Sequence, residues 1–161
     1  VIEIINENIL HSGADIIINP VDCNGAPCSK LGGLIGNEMP WVEIDYRKYL
    51  RKHNKEQRKI LGTVQFVPAE VWALCLVNTM EINNAIASCD VVSFIANCFV
   101  CDNYNGNYDV ESTLKCLSVI RERTNATSTI ALSEDFITHT SDGFCEELME
   151  MWNQIKFYKT T

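Results

Sequence analysis

The sequence predicts an α/β fold, a three-layer α/β/α sandwich around a mixed central sheet. Short runs rich in Val, Ile and Phe alternate with stretches whose apolar residues recur at helical spacing. Continuous apolar runs of that kind suit strands buried on both faces, and helices between them cover the sheet. No Gly/Ser linker or internal repeat breaks the alternation. A length of 161 residues at 47% hydrophobic and 21% charged supports a full core. Residues 1–161 are therefore expected to form a single domain.

The expected strands, in order, are Ile2–Ile5, Ala14–Asn19, Thr63–Val67, Ala73–Asn78, Val91–Asn97, Thr129–Leu132 and Ile155–Tyr158. Pro40 suits a first helical turn, after which Trp41, Tyr46, Tyr49 and Leu50 fall near one face of a helix ending around Lys52 to Asn54. Asp109 is placed as an N-cap for a helix in which Val110, Leu114, Leu117 and Ile120 recur at near-helical spacing. Phe144, Leu148, Met151 and Trp152 mark a last helix after Asp142-Gly143. Glu81–Asp90 and Asp102–Asn107 read as long surface loops.

Charge narrows the partners. A net charge of -8 and a pI near 4.8 argue against nonspecific binding to nucleic acid or to an anionic membrane, both of which reward basic patches. The one basic concentration, Arg47, Lys48, Arg51, Lys52, Lys55, Arg58 and Lys59, reads as a solvated helix face and the loop after it. Most of the eight cysteines sit among apolar neighbours and read as small hydrophobes. Cys98 and Cys101 form a C-x-x-C, but residues three apart on a strand point to opposite faces, and no second pair accompanies them. No metal or cofactor is therefore expected. The absence of a long apolar run and of a leader pattern makes the cytoplasm the default location.

The most informative stretch is Asn19-Pro20-Val21-Asp22-Cys23-Asn24-Gly25, which follows an apolar run and leads into Leu31-Gly32-Gly33-Leu34-Ile35-Gly36. A buried strand that ends in small polar residues and glycines and then opens a helix leaves backbone N–H groups facing a cleft, where phosphate or sugar can dock. The glycines have a second reading, which is close packing of a helix on the sheet.

The order of short strand, Asn6-Glu7-Asn8-Ile9, strand, Asn19-Pro20-Val21-Asp22-Cys23-Asn24-Gly25 and helix resembles macrodomains, in particular the branch with ADP-ribose-1''-phosphate phosphatases. Leu61-Gly62-Thr63-Val64, Phe94-Ile95-Ala96-Asn97-Cys98-Phe99 and Ile155-Lys156-Phe157-Tyr158 follow in the order that branch uses. The resemblance implies a small-molecule ligand, ADP-ribose or a derivative. It places Asn8 near the adenine and Asp22 beside the distal ribose. By the same resemblance Gly25 and the Gly32-Gly33 pair correspond to a first loop around the diphosphate, and Asn19, Val21, Cys23 and Asn24 are further ligand-binding candidates. The segment Ser133–Gly143, with Ser133, Thr140, Ser141 and Gly143, sits where a second loop closes over the diphosphate, Phe144 follows as a ligand-binding candidate, and Asn97 and Tyr104 flank the pocket.

The chain also departs from that branch. Pro27-Cys28-Ser29-Lys30 stands where relatives carry Gly-x-Gly, and the second loop keeps Gly143 where relatives have several glycines. Side chains with a Cβ hinder close approach of backbone to a diphosphate. The chemistry expected to survive is acid–base work on a distal ribose or its phosphate, with Asp22 orienting a water and His139 or Asp142 opposite it. Two functions follow: a hydrolase of the ADP-ribose-1''-phosphate phosphatase or ADP-ribosyl hydrolase type, or an inactive module that binds a nucleotide or a protein.

Overall fold

The sheet is organised around the strand Ile16–Asp22 (β2), whose seven residues are all buried and which pairs along both edges. The computed structural model describes residues 2–25, 29–53, 57–74, 93–101, 108–140 and 143–160, without the side chains of Gln57, Arg58 and His139. Among the described residues the other strands are β1 (Ile4–Ile5), β3 (Val64–Pro68), β4 (Phe94–Cys101), β5 (Thr129–Ser133) and β6 (Gln154–Tyr158). They stand in the order β1-β6-β5-β2-β4-β3. Only β3 runs antiparallel to its neighbour, so the sheet is mixed, as the sequence predicts.

The helices are α1 (Lys30–Glu38), α2 (Pro40–Lys52), α3 (Val110–Arg123), α4 (Asp135–His139) and α5 (Phe144–Met151). Alternation along β2 sends Ile17 to one face of the sheet and Ile16 and Ile18 to the other. On the Ile17 side Leu31 and Ile35 of α1 and Val42 of α2 pack with Ile95, Val67 and Ala131. On the opposite side Cys116, Leu117 and Ile120 of α3 and Phe144 and Leu148 of α5 pack with Phe94, Leu132 and Phe157. Three layers result.

Helix starts follow local chemistry. Ser29 caps α1, its Oγ accepting the Gly32 N–H at 3.4 Å. Pro40 opens α2, and the Trp41 indole N–H donates to the Pro68 carbonyl at 2.8 Å, tying that helix to the end of β3. Asp109 caps α3 by accepting the Ser112 N–H at 3.0 Å. The face of α3 differs from the expected stripe. Thr113, Cys116, Leu117 and Ile120 are buried, whereas Val110, in the first turn, is 45% exposed.

Two further expectations change. The described part of the run expected as a strand at 73–78 is a 3-10 turn, Val71–Ala73, followed by Leu74. Residues 75–92, with the expected loop at 81–90, lie outside the described residues, as does the loop at 102–107. Cys98 and Cys101 do not point to opposite faces, because β4 carries a bulge. Val21 pairs with Phe99 and Asp22 with Cys101, so Val100 is an extra residue and both cysteines join one core cluster. Burial, reinforced by the neighbouring Cys116 thiol, pushes the Cys98 thiol well above its ordinary range.

The difference between a cap and a core contact is measurable. Asp109→Ala is expected to lower stability by about 1 kcal/mol, and Leu148→Ala, at a fully buried site, by about 2–5 kcal/mol. Urea titrations read both as shifts in the unfolding midpoint.

Candidate functional site

Three amides form a row across the sheet. Asn19, Asn97 and Gln65 are register partners on β2, β4 and β3, so their side chains leave one face side by side. The Asn19 amide N–H donates to Asn97 Oδ1 at 2.8 Å, the Asn97 amide N–H to Gln65 Oε1 at 3.2 Å, and the Gln65 amide N–H to the Asp45 backbone carbonyl of α2 at 3.1 Å. A backbone carbonyl only accepts, so the Asp45 end fixes the direction of every amide in the row. The row therefore ends on the Asn19 carbonyl oxygen. Asn19 is 4% exposed, and this Oδ1 is buried without a partner among the described residues.

Above the row, residues of α1 and α2 line a cavity of about 310 Å³. Asn19, Val21 and Asn97 form its floor, Gly32, Gly33 and Gly36 one wall, and Val42, Glu43, Tyr46 and Arg47 the other. The volume falls at the lower end of the range for small-molecule sites, about 300–1,000 Å³. Three glycines in a nine-residue helix each disfavour it by about 1 kcal/mol against Ala. A Cβ placed at Gly32, Gly33 or Gly36 would meet nothing within 4 Å. Close packing therefore does not account for them; they leave open space.

The rim is built differently. Gly25 turns with φ +87°, and an added Cβ would lie 2.8 Å from Arg47 Nη1, so here the glycine does permit close approach. Arg47 is in turn held by Glu43, Nε to Oε1 at 3.0 Å. Next to this rim, Asp22 is buried, its Oδ1 accepting the Asn24 N–H and its backbone carbonyl accepting the Tyr46 hydroxyl. Burial, then the negative charge of Asp22, holds the Tyr46 phenol well above its ordinary pKa of 10.0.

Six of the residues expected to bind ligand line this cavity: Asn19, Val21, Gly25, Gly32, Gly33 and Asn97. The others lie elsewhere. Asn8 caps the 3-10 turn Ile9–His11 by accepting the Leu10 N–H at 3.0 Å, and its amide N–H donates to Glu38 Oε1 at 3.0 Å. Cys23 packs with Val21, Tyr46, Ile60 and Phe99. Ser133, at the end of β5, accepts the Asp135 N–H at 3.2 Å. Thr140 donates its hydroxyl to the Phe136 carbonyl, Gly143 opens α5 with φ +91°, and Phe144 stacks on Phe136 in the core. Tyr104, Ser141, Asp142 and the His139 side chain lie outside the described residues. Gln65, Asp45, Gly36, Glu43, Tyr46 and Arg47 were not singled out from sequence as site residues. The available signal was a lone amide inside each of three largely apolar strands.

β2 and β5 are adjacent and parallel, yet the chain leaves β2 for α1 on one face and leaves β5 for α5 on the other. Open α/β sheets take ligands outside the carboxyl ends of the strands at such a switch point. The Asp22–Gly25 turn follows β2, and Glu134 to Thr140 follow β5. Asn8 follows β1, which runs parallel to β6 and so ends at the same edge.

No family model and no curated protein matches this sequence. Solved structures do. The macrodomain of Mycobacterium tuberculosis DarG aligns with TM-score 0.65 at 13% identity, over 98% of this chain and 97% of that one. The macrodomain of Thermus aquaticus DarG aligns with TM-score 0.62 at 11% identity, over 100% and 98%. Thermosipho africanus DarTG, solved in complex with ADP-ribose, aligns with TM-score 0.60 at 12% identity, over 94% of this chain and 39% of that one. The chain has the macrodomain fold.

Tyr46 gives the site a pH signature. Its phenol titrates higher in the folded than in the unfolded chain, so its contribution is complete below about pH 10 and declines as pH rises above that value. Tyr46→Phe is expected to lose stability at pH 7 and to flatten the decline above pH 10. Urea midpoints of both proteins across pH 8–11, about the ordinary tyrosine range, report it.

Proposed function

We propose that this chain binds ADP-ribose or a derivative of it in the crevice between the carboxyl ends of β2 and β5. The observation that carries the reading is the switch point itself. Two neighbouring parallel strands send their chains to opposite faces of the sheet, and open α/β sheets take ligands at that place. The capped start of α1 presents backbone N–H groups next to it, which suits a diphosphate without requiring a basic surface in a chain of net charge -8. That the Thermosipho protein of the same fold was solved with ADP-ribose supports the choice of ligand.

The hydrolase reading rests on Asp22, which is buried at the carboxyl end of β2 with one carboxylate oxygen accepting the Asn24 N–H. A carboxylate with its orientation set in this way suits the alignment of a water against a distal ribose phosphate. Asp22→Asn keeps an acceptor for the Asn24 N–H and removes a negative charge close to an anionic ligand. The variant therefore separates holding the ligand from hydrolysing it.

Calorimetric titration with ADP-ribose is expected to give saturable one-site binding. Asp22→Asn is expected to bind at least as tightly as the parent chain. Release of phosphate from ADP-ribose-1''-phosphate, if the parent chain shows it, is expected to fall by about 100-fold in Asp22→Asn, in line with the loss of a positioned acid–base group. Absence of any ADP-ribose binding sinks the nucleotide reading. Binding without turnover leaves a reader module.

A further inference from the structure

We propose that Tyr46 is a positioning residue for the turn Asp22–Gly25: with Arg47 beside it, it braces α2 against both ends of that turn and holds the turn in the geometry that receives ADP-ribose. The inference rests on the nucleotide reading above and names the group that prepares its site. Where the register of β2 against β4 shifts, the Asp22 backbone carbonyl turns to a side chain of α2 and accepts the Tyr46 hydroxyl at 2.5 Å. At the other end Gly25, with φ +87°, lies so close to α2 that an added Cβ would stand 2.8 Å from Arg47 Nη1 and 3.4 Å from Leu50 Cδ1. Tyr46, Arg47 and Leu50 fall within one third of the helix circumference, so a single side of α2 meets the whole turn.

Between those ends the turn is tied to itself and to the sheet. Asp22 Oδ1 accepts the Asn24 N–H, and the Cys23 N–H donates to the Cys101 carbonyl at 2.9 Å. α2 is anchored in turn on the edge strand β3, through the Trp41 indole N–H on the Pro68 carbonyl at 2.8 Å and the Gln65 amide on the Asp45 carbonyl at 3.1 Å. The helix therefore spans from β3 to the end of β2 and carries the position of the sheet to the turn from outside.

The hydroxyl is suited to that task. Tyr46 is buried and packs with Val21, Cys23, Ile60 and Phe99, which leaves little water to replace the Asp22 carbonyl as its partner. Burial, and then the charge of Asp22, keep the phenol protonated and hence a donor across the neutral and mildly alkaline range. Without this bond the turn samples other conformations, and a ligand that needs one of them binds more weakly in proportion to the fraction lost.

The test compares the full chain, labelled with nitrogen-15, with Tyr46→Phe, which keeps the ring beside Phe99 and removes the hydroxyl alone. In the absence of ligand, hydrogen exchange of the Asn24 and Gly25 amides is expected to be about tenfold faster in the variant, and calorimetric titration is expected to give an ADP-ribose Kd about tenfold higher. Ile120→Val, a core truncation on the opposite face of the sheet, is expected to leave both measurements unchanged, which separates positioning from a general loss of stability. Unchanged exchange at Asn24 and Gly25 in Tyr46→Phe, a loosened turn with unaltered affinity, or an equal effect of Ile120→Val would each overturn the proposal. A parent chain that does not bind ADP-ribose refutes the nucleotide reading instead and removes the ligand half of this one. The exchange comparison, made without ligand, still decides whether Tyr46 holds the turn.

Discussion

A strand paired along both edges and covered on both faces leaves its polar atoms nowhere to go but to each other, and β2 is such a strand. A buried donor or acceptor left unmade costs about 1–3 kcal/mol. Each polar group that β2 carries toward its carboxyl end therefore recruits something. Asn19 recruits Asn97 and, through it, Gln65 and the α2 backbone. Asp22 recruits the Asn24 N–H and the Tyr46 hydroxyl. Residues from β3, β4 and α2 are thus positioned by demands that originate on one strand.

The same strand organises what lies on each side of it. On its β5 side the chain leaves the two neighbouring strands toward opposite faces of the sheet. On its β4 side the glycine-bearing face of α1 and the facing side of α2 border a cavity over the amide row. The capped start of α1 carries backbone N–H groups, and helix starts of that kind suit anions through fixed dipoles without side-chain cations.

What was legible in the sequence follows the range over which each signal acts. The cap at Asp109 and the Pro40 start depend on neighbours within one turn, and both stand where the residues indicate. The layer order was legible because apolar runs and helical spacing are also local patterns. The bulge at Val100 was not, since it exists only in the register of β4 against β2, two strands far apart in the chain. The amide row was hidden for the same reason. Asn19 and Asn97 were visible as strand-end residues, but Gln65 gains its meaning only from being opposite Asn97. Phe144 stood in the right segment for a loop contact, yet its ring stacks on Phe136, because the face of α5 that carries it points into the sheet.

The span of these pairings also bears on how the chain assembles itself. Gln65 and Asn97 are 32 residues apart, whereas Asn19 and Asn97 are 78 apart. By chain-closure entropy the longer contact is harder to form by about 0.8 kcal/mol. By this measure the antiparallel pair β3–β4 is the cheaper one to close, and a chain that pairs it first offers β2 an edge that already presents half of the amide row. Until β2 docks, β4 exposes an apolar edge eight residues long. In a newly made or heat-stressed chain, that edge is the place where a second molecule is most readily captured in error.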